Sequence, residues 1–350
     1  MKILQLIDTL QLGGAERMAV NIANVLSEQN LENLLVVTRA NGPLVEFLPT
    51  KTIYFQLQKK SSFDFISFYK LLNFIKKEKP TVLHAHSTSI YWGVLIKLFY
   101  PSLKLIWHDH NGNRPLENNY SIKKISKNID GVILVSQPLL DWASTGIPKV
   151  KLILIRNFPF LNIKYSTSKK YFVILHLANL RHQKDHLTLI EAIRILKTKI
   201  NDPFQLICAG SDLNDDYSLK LKHKVKAYNL ENIITFNGAV KNISSLLEQA
   251  SLGVLSSQSE GLPVSLLEYG LAALPVVVTD VGQCAEVVGN GKYGLVVPPS
   301  NPEKLAASIQ WHLHNRQSSM EMGHSFRKQV EDEYGSMRFM EDYTQFIHSL

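Results

Sequence analysis

Short apolar runs and longer amphipathic stretches alternate along this chain from its first residues. Lys2 to Ile7 reads as a strand, and Met18, Ile22, Val25 and Leu26 give Ala15–Leu26 one apolar face at helical spacing. Gly13 and Gly14 lie between the two and permit a tight loop and the close approach of a ligand. A strand, a Gly-rich turn and a helix make a Rossmann-like first unit, although the absence of G-x-G-x-x-G weakens any dinucleotide reading. Further strands are expected at Leu34–Thr38, Thr81–His86, Leu103–Gly112, Gly131–Ser136 and Ile153–Asn157. Asn162–Lys170 is polar and unpatterned and reads as an interdomain linker. Beyond it, strands are expected at Phe172–Ala178, Phe204–Gly210, Ile233–Gly238, Leu252–Ser256 and Tyr293–Pro299, with a helix at Leu187–Leu196 and helical pattern from Pro302 to Leu350. The fold class is α/β.

One helix leaves two readings open. Asp64–Lys79 sets Phe65, Phe68, Leu72 and Ile75 on one face and Lys70, Lys76, Lys77 and Lys79 on the other. A sheet would bury that apolar stripe in any case, which favours a surface helix with a solvated lysine face. Peripheral contact with an anionic membrane is the alternative.

Composition narrows the class. The chain has 350 residues, enough for about two domains, and 45% of them are hydrophobic, enough for a substantial core. Cys208 and Cys284 are far apart in apolar surroundings, so they read as buried thiols in a reducing, cytoplasmic compartment. The opening MKILQLIDTL is too short an apolar run for a secretory leader, and no stretch is long and apolar enough to span a bilayer. The net charge of +8 suits nucleic acid, an anionic membrane or phosphate-bearing substrates. With no zinc-finger spacing, RNP-like motif or basic tail, nucleic acid is the least supported partner.

Candidate chemistry gathers in three places. TVLHAHS and LKLIWHDHNG both end strands in histidines, at the carboxyl ends where open α/β sheets bind ligands. His84 and His86 share a face, as do His108 and His110, which leaves open a zinc site or a purely shaping role. The loop before Leu187 holds Arg181, Lys184 and His186. The third place is SSQSEGLPVSLLEYGLAALPVVVTD, Ser256 to Asp280, where Glu260 and Glu268 are separated by seven residues. Pro263 fits the first turn of a helix, placing Glu260 in the entering loop and Glu268 about one and a half turns inside. The amides at such a helix start attract a phosphate, and the carboxylates can accept hydrogen bonds from sugar hydroxyls.

These residues resemble those of a known family. LEYGLAALPVVVTDVGQCAEVV is similar to the LEAMAxGxPVVaTdvGGxxEvv segment of the retaining GT-B glycosyltransferases of the large GT4 family, with Ala273 and Gln283 standing where glycines are usual. GGAER resembles that family's N-terminal loop, HAHS and HDH its "VVHaHs" and "T-x-H" segments, and NLRHQKDHLTLIEA its "GRLxxxKGhdxLIeA". The resemblance implies a GT-B fold, two Rossmann-like domains facing across a cleft, here 1–164 and 165–332, with a C-terminal helix at 333–350 returning to the first domain. It implies that His110 contacts the donor sugar near the anomeric carbon, with His86 and His108 shaping the cleft. Glu260 would bind a sugar hydroxyl, Glu268 the ribose diol, and Lys184 the pyrophosphate, joined by Gly13, Gly14, Gly261, Leu262, Pro263, Val264 and, beside the base, Gly238. Asn179 occupies the usual Arg position, and Arg181 is the expected substitute. Catalysis would rest on His110, Glu260 and Lys184. No D-x-D triplet occurs, in keeping with a metal-independent transfer and no cofactor.

The expected activity is retaining transfer of a hexose from a nucleotide-sugar, a UDP-sugar first, to a saccharide or lipid-linked saccharide in cell-envelope polysaccharide assembly. It would proceed in the cytoplasm or on the inner face of the plasma membrane. The alternatives are a UDP-sugar epimerase or hydrolase on the same fold, and a non-catalytic polyanion-binding protein.

Overall fold

A computed structural model describes residues 1–61, 64–110, 120–161 and 171–350. Gly112 and the expected linker Asn162–Lys170 lie outside the described residues. The chain divides into two compact units, one of Met1–Phe158 with Ser336–Leu350 and one of Pro159–Gly335.

In the first unit, the described residues form a seven-stranded sheet. Its strands are β1 Lys2–Thr9, β2 Glu32–Ala40, β3 Ile53–Gln56, β4 Val82–His86, β5 Lys104–Asp109, β6 Gly131–Leu134 and β7 Lys151–Leu154, in the order β3-β2-β1-β4-β5-β6-β7. Every pairing is parallel. Central strands of such a sheet are covered on both faces, which is why β1 and β4 read as near-continuous apolar runs and are buried along most of their length. The helix Gly14–Glu28 turns Met18, Ile22, Val25 and Leu26 inward, the stripe read from the sequence. The C-terminal helix Ser336–Ser349 belongs to this unit and buries Phe339, Met340, Tyr343 and Phe346. Phe339 packs on Phe158 with ring centroids 4.6 Å apart. Gly131 opens β6 because a Cβ there would lie 2.5 Å from the Phe346 ring.

Three expectations change here. The last strand runs Lys151–Leu154 rather than Ile153–Asn157, and both β3 and a helix at Ile90–Phe99 went unread. In the helix Phe65–Glu78, capped by Asp64, the inward face is Ser67, Leu71 and Ile75, while Phe65 is 79% exposed. At 3.6 residues per turn Phe65 lies roughly 120° round the helix from Leu71 and roughly 80° from Ile75, off the face that those two bury.

The described residues of the second unit form a six-stranded parallel sheet, β8 Phe172–Leu177, β9 Phe204–Ala209, β10 Ile234–Phe236, β11 Leu252–Leu255, β12 Val276–Thr279 and β13 Leu295–Val297, ordered β10-β9-β8-β11-β12-β13. Its strand order reverses beside β8, between β9 and β11, so the loops after β8 and β11 meet at the carboxyl edge. Open α/β sheets place their ligand sites at such a switch point. Cys208 and Cys284 are buried and unpaired, and burial pushes both thiols up to about 12.

Candidate active site

The switch-point loops of the second unit carry the charged residues singled out by the sequence. After β8 the chain makes a short 3-10 turn, His182–Lys184, and Asp185 then caps the helix His186–Lys199. Asp185 sits at φ 46, in the left-handed region where Asp is among the few residues tolerated besides Gly. Its carboxylate accepts from the Thr188 amide (3.2 Å) and hydroxyl (2.7 Å), satisfying the helix start. The loop after β11 is laced to this turn. Ser256 Oγ donates to the Lys184 and Asp185 carbonyls at 3.0 and 3.1 Å, the Gln258 amide donates to the Gln183 carbonyl at 2.8 Å, and Gln258 Nε2 donates to Asp185 Oδ2 at 2.9 Å.

Across that lacing, Lys184 Nζ donates to both oxygens of Glu260 at 2.6 and 2.8 Å. Ser257 Oγ adds a third bond to Glu260 Oε1 at 2.6 Å. The Glu260 side chain is only 8% exposed and that of Lys184 21%. An ammonium has three N–H donors and the carboxylate takes two, so the third can meet an anionic oxygen. The Glu260 loop is held from behind by Gly282, at φ 53, where a Cβ would lie 2.1 Å from the Glu260 carbonyl oxygen. The next residue, Gln283, donates its amide to the Gly261 carbonyl at 3.1 Å. Pro263 is the N-cap of the helix Val264–Leu271 rather than a member of its first turn, because its ψ of 113° is extended. No side chain caps this helix and the Leu266 amide bonds the Pro263 carbonyl at 3.0 Å, so the Val264 and Ser265 amides are the ones left to an anion. Glu268 is buried within it.

Other expected donor contacts divide. Arg181 is exposed and makes no side-chain ion pair among the described residues, whereas Asn179 accepts from the Ser211 amide at 2.8 Å and ties two loops together. Gly238 lies at φ 65 and its carbonyl accepts from the Gly210 amide at 2.9 Å. In the first unit, Gly13 caps the helix Gly14–Glu28, and a Cβ on Gly13 would meet Glu16 Oε2 at 2.3 Å, while Gly14 faces open space. Glu16 is held over this helix start by Thr9 Oγ1 at 3.0 Å, so an anion arriving there would have to displace a carboxylate.

Within the first unit the four histidines form one cluster at the ends of β4 and β5. His86 Nδ1 meets His110 Nε2 at 3.0 Å, and His84 Nε2 meets His108 Nδ1 at 3.1 Å. Burial pushes His84 and His110 down to about 3 and holds His86 and His108 well below their ordinary value, so all four are neutral near pH 7. A neutral imidazole has one donor and one acceptor nitrogen, and the surroundings decide which. The Ala23 carbonyl can only accept, so it takes an N–H of Asn33 at 3.2 Å. Asn33 Oδ1 then accepts from Gln5 Nε2 at 3.4 Å, which leaves Gln5 Oε1 to accept from His86 Nε2 at 3.0 Å. His86 Nδ1 is therefore the acceptor, His110 donates from Nε2, and His110 Nδ1 keeps a lone pair. That Nδ1 is buried and has no partner among the described residues. His84, His86 and His108 do bring ring nitrogens within 4.8 Å of one another. However, hydrogen bonds to each other, Gln5 and Tyr343 engage six of the eight ring nitrogens, leaving His108 Nε2 and His110 Nδ1. These contacts join the cluster into hydrogen-bonded chains.

Comparison with known proteins decides the class. Residues 12–158 match the family described as Glycosyltransferase Family 4, and residues 158–329 match Glycosyl transferases group 1. The chain belongs to the family 4, group 1 glycosyltransferases. This glycosyltransferase is similar to the O-antigen biosynthesis glycosyltransferase WbnH of Escherichia coli, 28% identical over 80% of this chain and 82% of that one. It is also similar to the GalNAc-alpha-(1->4)-GalNAc-alpha-(1->3)-diNAcBac-PP-undecaprenol alpha-1,4-N-acetyl-D-galactosaminyltransferase of Campylobacter jejuni, 22% identical over 95% and 94% of the two chains. Its fold matches that of Anabaena Alr3699/HepE in complex with UDP and glucose, with a TM-score of 0.79 and 19% identity over the whole of both chains. The GT-B fold expected from the sequence is thus the fold of this glycosyltransferase.

The sequence singled out Lys184, Glu260, Glu268 and His110, but not the groups around them. Ser257, Gln258 and Asp185 are short polar residues whose roles depend on two loops meeting. Gly282 carried a signal, since it lies in the TDVGQ segment of the family-like run. Gln5 and Asn33 carried none: Gln5 is a polar residue in a strand expected to be apolar, and Asn33 lies just before the strand expected at Leu34–Thr38, which in the structure begins at Glu32.

Proposed function

We propose that this glycosyltransferase moves a sugar from a UDP-sugar to a saccharide or lipid-linked saccharide in cell-envelope polysaccharide assembly, retaining anomeric configuration without a metal ion. The observation that carries the reading is the Lys184–Glu260 pair at the switch point, beside an uncapped helix start and with Glu268 inside that helix. Glu268 accepts from the ribose diol, and Glu260 from a hydroxyl of the donor sugar. The third N–H of Lys184, with Arg181 and the amides of Val264 and Ser265, meets the diphosphate. As the bond from the anomeric carbon to the phosphate oxygen breaks, negative charge grows on the diphosphate, and a fixed ammonium and fixed amides stabilise it there. The acceptor oxygen attacks from the face the phosphate leaves, and its proton passes to the departing phosphate oxygen, so configuration is kept.

The names of the relatives support the acceptor class: one belongs to O-antigen biosynthesis and one acts on an undecaprenol-linked saccharide. The fold neighbour holding UDP supports the base. Two buried, unpaired thiols suit a reducing cytoplasm. Among the described residues no helix is long and apolar enough to cross a membrane.

The test is product analysis of UDP-sugars incubated with EDTA, with and without undecaprenyl-diphosphate-linked saccharides, and NMR of the new linkage. Acceptor-dependent release of UDP with the donor's own anomeric configuration supports the reading. Rapid, complete turnover without acceptor would replace it with epimerisation or hydrolysis, and inverted product would overturn the mechanism.

A further inference from the structure

Two neighbouring helices of the first unit expose an apolar face. Phe65–Glu78 presents Phe65, Ile66 and Tyr69, and Ile90–Phe99 presents Tyr91, Leu95, Leu98 and Phe99. The helices lie side by side, since the Phe68 ring is 5.5 Å from that of Trp92 and 5.9 Å from that of Phe99. Single exposed apolar residues are ordinary on a soluble surface, but seven large ones on adjoining helices are not. The sheet does not use them, because each helix already buries another stripe, Ser67, Leu71 and Ile75 on one and Trp92, Val94 and Ile96 on the other.

Charge says what covers this face. Lys70, Lys76 and Lys79 are exposed and carry no ion pair among the described residues. The only acidic residue within either helix is Glu78, tied to Lys2 at 3.0 Å. At their carboxyl ends the two helices border a cavity of about 670 Å³, lined by Lys76, Lys79, Lys104 and Tyr100 among others. Aromatic and aliphatic side chains fringed by lysines, with the neighbouring carboxylate, Asp64, engaged by the Lys60 and Ser67 amides at the helix cap, match the boundary between acyl chains and anionic headgroups. A second copy of this chain is a poor occupant, because a two-fold contact would set lysine against lysine.

We propose that this two-helix face docks on an anionic bilayer, with the side chains around Phe65 and Phe99 entering the headgroup boundary and the lysines meeting lipid phosphates. Its use, bringing the enzyme to a lipid-linked acceptor, rests on the proposed function; the docking itself does not.

The experiment is co-sedimentation of the full chain with phosphatidylcholine vesicles, with and without phosphatidylglycerol, at low and high salt. Wild type, Phe65→Ser/Ile66→Ser/Leu98→Ser/Phe99→Ser and Lys70→Gln/Lys76→Gln/Lys79→Gln are compared, and UDP binding and circular dichroism are recorded for each. Each lysine is expected to contribute roughly fivefold near an anionic surface, so the lysine variant should partition about a hundredfold less. The apolar variant should lose about tenfold or more and the remaining binding should become fully salt-sensitive. Folding and UDP binding should be unchanged in both. Equal binding to neutral vesicles, no binding to anionic ones, or unaltered binding by the apolar variant overturns the proposal. So does a wild-type dimer that only the apolar variant dissolves while vesicles bind nothing. A wild type that docks but binds no UDP would count against the donor site alone and leave the docking standing.

Discussion

Removing Lys184 should injure the second unit even where no nucleotide is present. Glu260 is 8% exposed and takes two of its three hydrogen bonds from Lys184, at 2.6 and 2.8 Å. In Lys184→Met the carboxylate keeps only Ser257 Oγ. Breaking a fully buried ion pair costs about 3–5 kcal/mol. Lys184 is 21% exposed, so water can reach part of the site, and the expectation falls to about 2–3 kcal/mol. Glu260→Gln keeps the shape and leaves Lys184 free to turn toward solvent, at a cost of about 1 kcal/mol. The double variant should lose clearly less than the sum, giving a coupling of about 1–2 kcal/mol. With two units, one global transition cannot be assumed. The assay is therefore hydrogen exchange by mass spectrometry on peptides spanning 178–190 and 252–265, with urea unfolding in parallel. Both peptides should lose protection in Lys184→Met and recover part of it in the double variant. Additive losses, or unchanged protection in Lys184→Met, would show that the serine lacing alone holds the loop and would refute the reasoning.

Other outcomes follow from the same geometry. Gly282→Ala places a Cβ 2.1 Å from the Glu260 carbonyl oxygen at a φ of 53, and should cost at least about 2 kcal/mol in urea unfolding while weakening UDP binding. In the histidine cluster the folded values lie below the ordinary 6.5, so the neutral forms stabilise the fold above that pH and the contribution is lost as pH falls toward about 3 for His84 and His110. The unfolding free energy from urea titration should therefore drop steeply as pH falls from about 6.5 to 5, by up to about 1.4 kcal/mol per histidine per pH unit, and a flat profile would contradict the burial. Nitrogen-15 NMR of labelled histidine should find His110 protonated at Nε2, with the preference weakened in Gln5→Leu; a proton on Nδ1 in the wild type would break the chain traced from Ala23.

The charged cluster of the second unit was largely legible because its residues lie in two short segments of the chain. Glu260, the helix start and Glu268 lie within one turn-and-helix segment, and Lys184 precedes a helix whose apolar spacing was plain. The departures from the family pattern also became intelligible. Ala273, standing where glycine is usual, adopts a φ of 53, and Asn179, standing where Arg is usual, bonds the Ser211 amide. What could not be read was long-range or unpatterned. Gln5 meets His86 across 81 positions and Tyr343 meets His84 across 259. The helix Ile90–Phe99 has Lys97 as its single charged residue, so no polar face marked its period. Phe65 fell on the right spacing for burial and still points outward, because the stripe that packs is the one through Leu71 and Ile75.

The central claim is that the second unit binds a nucleoside diphosphate through Lys184 and Glu268. Calorimetric titration of wild type, Lys184→Ala and Glu268→Ala with UDP, GDP and ADP, in EDTA, tests it most directly. The account predicts selective binding of UDP, weakened about tenfold or more in each variant as a charge-assisted hydrogen bond is lost. Binding of none of the three, or variants that bind as well as wild type, would contradict it.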